Sequence, residues 1–167
     1  MYSIGEKVVY GAMGVMEVVD VAEQTLGDVS RKYYVLREYS SSSTSLTYVP
    51  QDNEMLVSQL QPLLTKDEIV DAVKEAKAQG PLAWIEENRA RSEAYKRILA
   101  TADRVQILMM IRSVYETGIR REAEGKKNFI ADENIRLKAK KLLCSEIAVV
   151  FDIPEETVND FINNAFD

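Results

Sequence analysis

The sequence predicts an α+β fold, a small N-terminal β-barrel followed by an all-helical part of about five helices, on three observations. Up to Pro50, runs rich in Val, Tyr and Leu alternate with clusters of Gly and Ser, the pattern of short strands joined by turns. Beyond Pro50 the apolar residues recur at helical spacing. With 167 residues, 46% of them hydrophobic and 29% charged, the chain has apolar material for one full core or two small ones.

Strands are expected at 7 to 10 (KVVY), 15 to 21 (VMEVVDV), 31 to 39 (RKYYVLREY) and 45 to 50 (SLTYVP). Gly11 and Gly14 bracket the first connection, Gly27 with Asp28 marks the second, and the serine run 40 to 43 the third. An edge strand here is either a docking template for another protein's sheet or an edge guarded by charge. Residues 1 to 51 are read as the β domain, 52 to 64 as a linker and 65 to 167 as the helical domain.

In the helical part, Thr65 caps a helix over 66 to 79 with Glu68 in capping-box position, and Gly80-Pro81 stops it. Further helices are expected over 83 to 101, 104 to 124, 132 to 151 and 154 to 165. Asp103 with Gln106 makes a second capping box, and Leu108, Ile111, Tyr115 and Ile119 form the buried stripe of the helix that follows. Gly125, Lys126 and Lys127 make the next loop. In the fourth helix Ile135, Ala139, Leu142, Leu143 and Ile147 face inward, leaving Arg136, Lys138, Lys140 and Lys141 for other faces. Pro154 opens the last helix, packed through Val158, Phe161 and Ile162.

Composition narrows the chemistry. There is no histidine, and the lone Cys144 lies in the apolar run LLCSEIAVV, where a buried, inert thiol is expected. Cys-His and Ser-His pairs, His-Cys metal sites and a disulfide within the chain are all impossible. No Gly-rich phosphate loop, carboxylate cluster at metal spacing or internal repeat occurs, so neither an enzyme nor a cofactor or metal is expected. A signal-like start and a membrane-length apolar run are also lacking, which places the chain in a reducing cytoplasm, away from membranes.

The net charge of −6 hides an uneven distribution. Residues 1 to 62 carry 4 basic and 8 acidic groups, 63 to 88 carry 3 and 6, 89 to 141 carry 14 and 7, and 142 to 167 carry none and 6. The basic segment is either a solvated face or a phosphate-binding one. The C-terminal run LLCSEIAVVFDIPEETVNDFI could pass for a helix-turn-helix. Its would-be recognition helix bears Glu155, Glu156 and Asp160 and no base, so it reads as a packing hairpin.

The basic segment begins just after the only tryptophan, in GPLAWIEENRARSEAYKR, residues 80 to 97. Read as one helix, this stretch puts Trp84 above Tyr95, Ile98 and Ala102 as part of a core stripe. The polar residues between, Glu87, Asn88, Arg91 and Ser92, leave a gap in that stripe. The alternative is an exposed indole followed by Arg89, Arg91, Lys96 and Arg97, which suits a nucleic-acid groove where a wedge unstacks bases and cations hold phosphates.

Both halves together resemble the CarD and CdnL family of bacterial transcription regulators. The resemblance rests on IGEKVVYGAMGVMEV, with Gly5, Val8, Val9, Tyr10, Gly14 and Val15, on KYYVL, and on a strand ending Val49-Pro50 with Asn53 beyond. In the second half it rests on Trp84, on Ala139, Leu142, Leu143, Glu146, Ile147 and Ala148, and on the helix opened by Pro154. The N-terminal module is similar to the polymerase-interacting domain of transcription-repair coupling factors.

The resemblance implies a Tudor-like, SH3-like barrel docked on the lobe of the RNA polymerase β subunit. It also implies a helical domain reaching promoter DNA at the upstream edge of the melted bubble. Trp84 would be the minor-groove wedge and Arg89, Arg91, Lys96 and Arg97 phosphate contacts. A family lysine early in the fourth helix corresponds to Glu133, for which Lys126 and Lys127 in the adjacent loop are substitutes. Glu23, Gln24 and Tyr48 fall where the family meets polymerase, with Glu23 and Tyr48 standing where other members have arginines. The implied protein is a monomer that engages promoter DNA weakly by itself and mainly through polymerase. The rival reading is a protein-interaction adaptor whose basic segment never meets DNA.

Overall fold

Val8 and Val9 are adjacent and both fully buried, yet they face two different cores. Strand alternation sends Val8 into the sheet's own core with Met16, Val18, Tyr34, Leu36, Val49 and Leu60. Val9, with Val15, joins the core of the helical part. In the computed structural model, which describes residues 1–26, 28–39 and 44–164, the two halves are therefore packed on a shared strand pair.

The strands are β1 (Lys7–Tyr10), β2 (Val15–Leu26), β3 (Val29–Glu38), β4 (Leu46–Pro50) and β5 (Leu60–Pro62), with a one-turn helix α1 (Glu54–Val57) between the last two. They form one antiparallel sheet of order β4-β3-β2-β1-β5, in which β4 and β5 are the edges. The expected barrel is thus a five-stranded sheet, and among the described residues no hydrogen-bonded pairing of β4 with β5 closes it. Residues 52 to 64 differ from the expected linker. They carry α1, capped by the Asn53 side chain accepting from the Leu56 N–H, and β5, which pairs Val8 with Pro62 and Tyr10 with Leu60. β2 and β3 run on past their neighbours as a two-stranded ribbon, with a register shift between Val18 and Asp20. The turn expected at Gly27 and the serine run 40 to 43 lie outside the described residues.

The helices are α2 (Lys66–Gln79), α3 (Asn88–Thr101), α4 (Arg104–Ala123), α5 (Ile130–Phe151) and α6 (Glu155–Asn164). Thr65 and Glu68 form the expected capping box. The Glu68 carboxyl is held below its usual range by the Thr65 backbone N–H and hydroxyl it accepts from. Asp103 caps α4 by accepting from the Gln106 N–H.

Two expectations about helix faces are corrected. Leu108 and Ile111 of the expected α4 stripe are buried, but Tyr115 and Ile119 are 45% and 51% exposed, and the buried face continues through Val114, Thr117 and Gly118. At Gly118 a side chain would meet Asn128, whose Nδ2 lies 3.1 Å from the Cβ position, so small residues face inward where the next loop comes close. The second correction is that the helix expected from 83 begins only at Asn88. The inward face expected for α5 is observed, and Val158 and Ile162 pack as expected on α6; the Phe161 side chain lies outside the described residues. Burial pushes the Cys144 thiol up, consistent with an inert sulfur.

The junction of the halves is a polar lock. Arg104 and Glu146, both buried, form a bidentate pair, Nε to Oε2 at 2.8 Å and Nη2 to Oε1 at 2.7 Å. Glu146 Oε1 also accepts the Leu64 N–H at 3.0 Å, and Arg104 Nη2 donates to the Pro62 carbonyl at 3.4 Å. The end of the sheet and the start of the helical part are thus tied to α4 and α5 by one pair. A second contact is Gly14, at φ 84°, where an added Cβ would sit 3.0 Å from the Ser145 hydroxyl on α5. The neighbouring Val15 N–H donates to that hydroxyl at 3.4 Å. Lys141 reaches back to Glu38 at 2.6 Å on the surface.

Candidate nucleic-acid interface and docking edge

Trp84 lies in the loop between α2 and α3, so its expected place on a helical stripe above Tyr95 is corrected. A break at its start and partners outside it keep the loop from forming a helix. Gly80 at φ 79° ends α2, Pro81 follows, and the Leu82 N–H is taken by the Met109 carbonyl at 3.2 Å. Glu87 then caps α3, its carboxylate accepting from the Arg89 and Ala90 N–H groups. The Ile85 and Glu86 carbonyls, which a continuous helix would use, accept from Arg91 Nη1 at 2.7 and 3.3 Å.

Trp84 is half-buried. Its ring stacks on Phe129 at 6.2 Å between centroids and 25° between planes, and the Arg91 guanidinium lies 4.2 Å from its centroid. Arg91 is only 1% exposed and pairs with buried Asp132 at 2.8 Å. Its expected role as a phosphate contact is therefore corrected, because every arm of the guanidinium is committed inside the protein. Arg121 lies 4.1 Å from the Phe129 centroid and donates from Nε and Nη2 to the Lys127 carbonyl at 3.0 and 2.8 Å. This chain of contacts joins two stretches that are far apart in sequence, the Trp84 loop and the loop carrying Lys126 and Lys127. Sequence reasoning missed Phe129, Asp132 and Arg121 as its members. An aromatic two residues after Lys127 and an acid in the first turn of a helix were the signals, and neither points to Trp84 without the fold.

The other candidates are on the surface. The Arg89 side chain is 86% exposed and pairs with Glu93 at 3.1 Å. Lys96 and Arg97 are exposed on α3, Arg97 donating weakly to the Glu93 carbonyl at 3.4 Å. Lys126 pairs with Glu124 at 2.7 Å, which holds the Glu124 carboxyl below its usual range, and Lys127 is exposed beside it. Glu133 pairs with Arg136 at 2.8 Å.

Glu23, Gln24 and Tyr48 belong to the sheet. Glu23 is opposite Lys32, Gln24 opposite Arg31 and Tyr48 opposite Val35. Alternation puts Gln24, Tyr33 and Tyr48 on one face and Glu23 on the other, so the three do not form a single cluster. Tyr48, on edge strand β4, is 47% exposed and meets Tyr33 edge-on at 6.3 Å. Glu23 accepts from the Ser30 hydroxyl at 2.6 Å.

Residues 2–62 match the family model of the CarD-like/TRCF RID domain. The matched stretch ends with β5, the last strand of the sheet. No curated protein matches the chain.

Proposed function

We propose that this protein docks on the RNA polymerase β subunit through its RID sheet and stabilises the open promoter complex. In that complex it presents Trp84 as a minor-groove wedge at the upstream edge of the bubble. The observation that carries this reading is the RID match over residues 2–62, a domain family that interacts with RNA polymerase and is built here as one packed unit with the helices that hold Trp84. Docking supplies a high effective concentration of the helical part near DNA, so an acidic chain needs only weak contacts there. Arg89, Lys96, Arg97, Lys126 and Lys127 supply the phosphate contacts, and Arg91 does not. Contacts made only when the strands have parted favour the open state by their differential affinity.

Two substitutions test the two arms separately. Tyr48→Glu places a charge on the exposed edge of β4 and should weaken binding to the β subunit about tenfold, a change of ~1.4 kcal/mol. Unchanged binding would remove β4 from the docking surface. Lys126→Ala with Lys127→Ala should leave β-subunit binding intact. The same pair should lower the log-log salt slope of promoter engagement by roughly 0.9 for each phosphate no longer neutralised. An unchanged slope would make this loop a solvated surface.

The adaptor reading is favoured by one observation: Trp84 already has partners in Phe129 and Arg91, and Arg89 and Lys126 are paired with carboxylates. An adaptor would bind polymerase and a second protein, and would give no Trp84-dependent protection of promoter DNA.

A further inference from the structure

Resting on the proposed role of Trp84, we infer that Arg91 is the residue that positions it. Locked onto Asp132, its guanidinium holds both the indole ring and the backbone beside it in one orientation. Four directions of the same flat group are used at once. Nε and Nη2 reach Asp132 Oδ2 at 3.0 and 2.8 Å, Nη2 reaches Asn88 Oδ1 at 2.8 Å, and Nη1 takes the Ile85 carbonyl at 2.7 Å and the Glu86 carbonyl at 3.3 Å. The last two belong to the residues that follow Trp84 in the chain. The guanidinium also lies 4.2 Å from the Trp84 centroid and 4.8 Å from that of Phe129.

A lysine could supply the charge at this place but not the fork of donors together with a flat cationic face. A tryptophan free to turn on a loop would lose that freedom on entering a groove, and ordering it beforehand removes that cost from binding. A buried ion pair is a weak source of net stability, so its placement against the one tryptophan fits a role in orientation.

Because Trp84 is the only tryptophan, fluorescence excited at the red edge of the absorption band, beyond the tyrosines, reports on this ring alone. The experiment uses the full chain as wild type, Arg91→Lys, and the double variant Arg91→Met with Asp132→Leu, which removes both buried charges together. Time-resolved anisotropy and acrylamide quenching are measured on the free protein, then open-complex lifetime with polymerase and promoter. In variants that still melt cooperatively, the ring should gain nanosecond motion, emit at longer wavelength and quench more readily, and the lifetime should fall to that of Trp84→Ala. Wild-type anisotropy and quenching in a folded Arg91→Lys protein would overturn the inference. If neither variant folds, the wild type decides: a large fast anisotropy component overturns it and a rigid ring supports it. A mobilised ring in the variants, with lifetimes equal among wild type, Trp84→Ala and the Arg91 variants, would keep the positioning role and overturn the wedge instead.

Discussion

Replacing Glu146 with alanine should lower stability by about 3–5 kcal/mol, because it leaves the Arg104 charge buried without its partner. The magnitude follows from burial: Glu146 is fully buried and Arg104 nearly so, and the pair is bidentate. The loss is not confined to α5. Glu146 also accepts the Leu64 N–H, and Arg104 holds the Pro62 carbonyl, so the seam between sheet and helices loosens with it. At roughly 2–4 °C per kcal/mol for a chain of this size, the thermal midpoint should fall by about 6–20 °C. Arg104→Met combined with Glu146→Leu removes both charges and should recover most of the loss, since a buried pair is often replaceable by apolar residues of similar volume. Thermal denaturation of the three proteins checks this. A single variant within about 1 kcal/mol of wild type, the scale of an exposed pair, would mean that water reaches the junction.

Trp84→Ala should have its main effect on function. The indole is half-buried, with one aromatic partner and one guanidinium, so its removal should cost roughly 1–2 kcal/mol, below the roughly 3–5 expected of a core tryptophan. Calorimetry should therefore show a midpoint lower by about 2–8 °C and a still cooperative transition. Docking on polymerase, proposed here to use the β4 edge and not the Trp84 loop, should be unaffected. A fall as large as that of Glu146→Ala would return Trp84 to the core.

Much of the fold was legible from local pattern. The starts of β1, β2, α2 and α4 follow alternation, turn glycines and capping residues, all of which act within a few positions of the chain. The misreadings have tertiary causes. A helix over 83 to 87 satisfied local rules, but the Ile85 and Glu86 carbonyls are taken by a side chain, and Trp84 turns onto Phe129, 45 positions further along the chain. The second half of the α4 stripe, Tyr115 and Ile119, was misplaced because Thr117 and Gly118 occupy the inner face there, where closeness to Asn128 replaces apolar bulk. β5 is too short to show a period and is a strand only because β1 offers an edge. Arg91 illustrates the limit for the site. In sequence it is one of four cations after a tryptophan, and only Asp132, on another helix, turns it from a surface charge into an internal clamp.

If Trp84 acts on DNA while the protein is held on polymerase, the quantity it controls is the lifetime of the open promoter complex. That lifetime, measured after a competitor challenge with wild type, Trp84→Ala or no added protein, tests the wedge most directly. Base–aromatic stacking is worth about 1–3 kcal/mol, so wild type should lengthen the lifetime by roughly 5- to 150-fold, and Trp84→Ala should bind polymerase normally yet leave it near the value without the protein. A folded, polymerase-bound Trp84→Ala protein that prolongs the open complex as well as wild type would contradict this role.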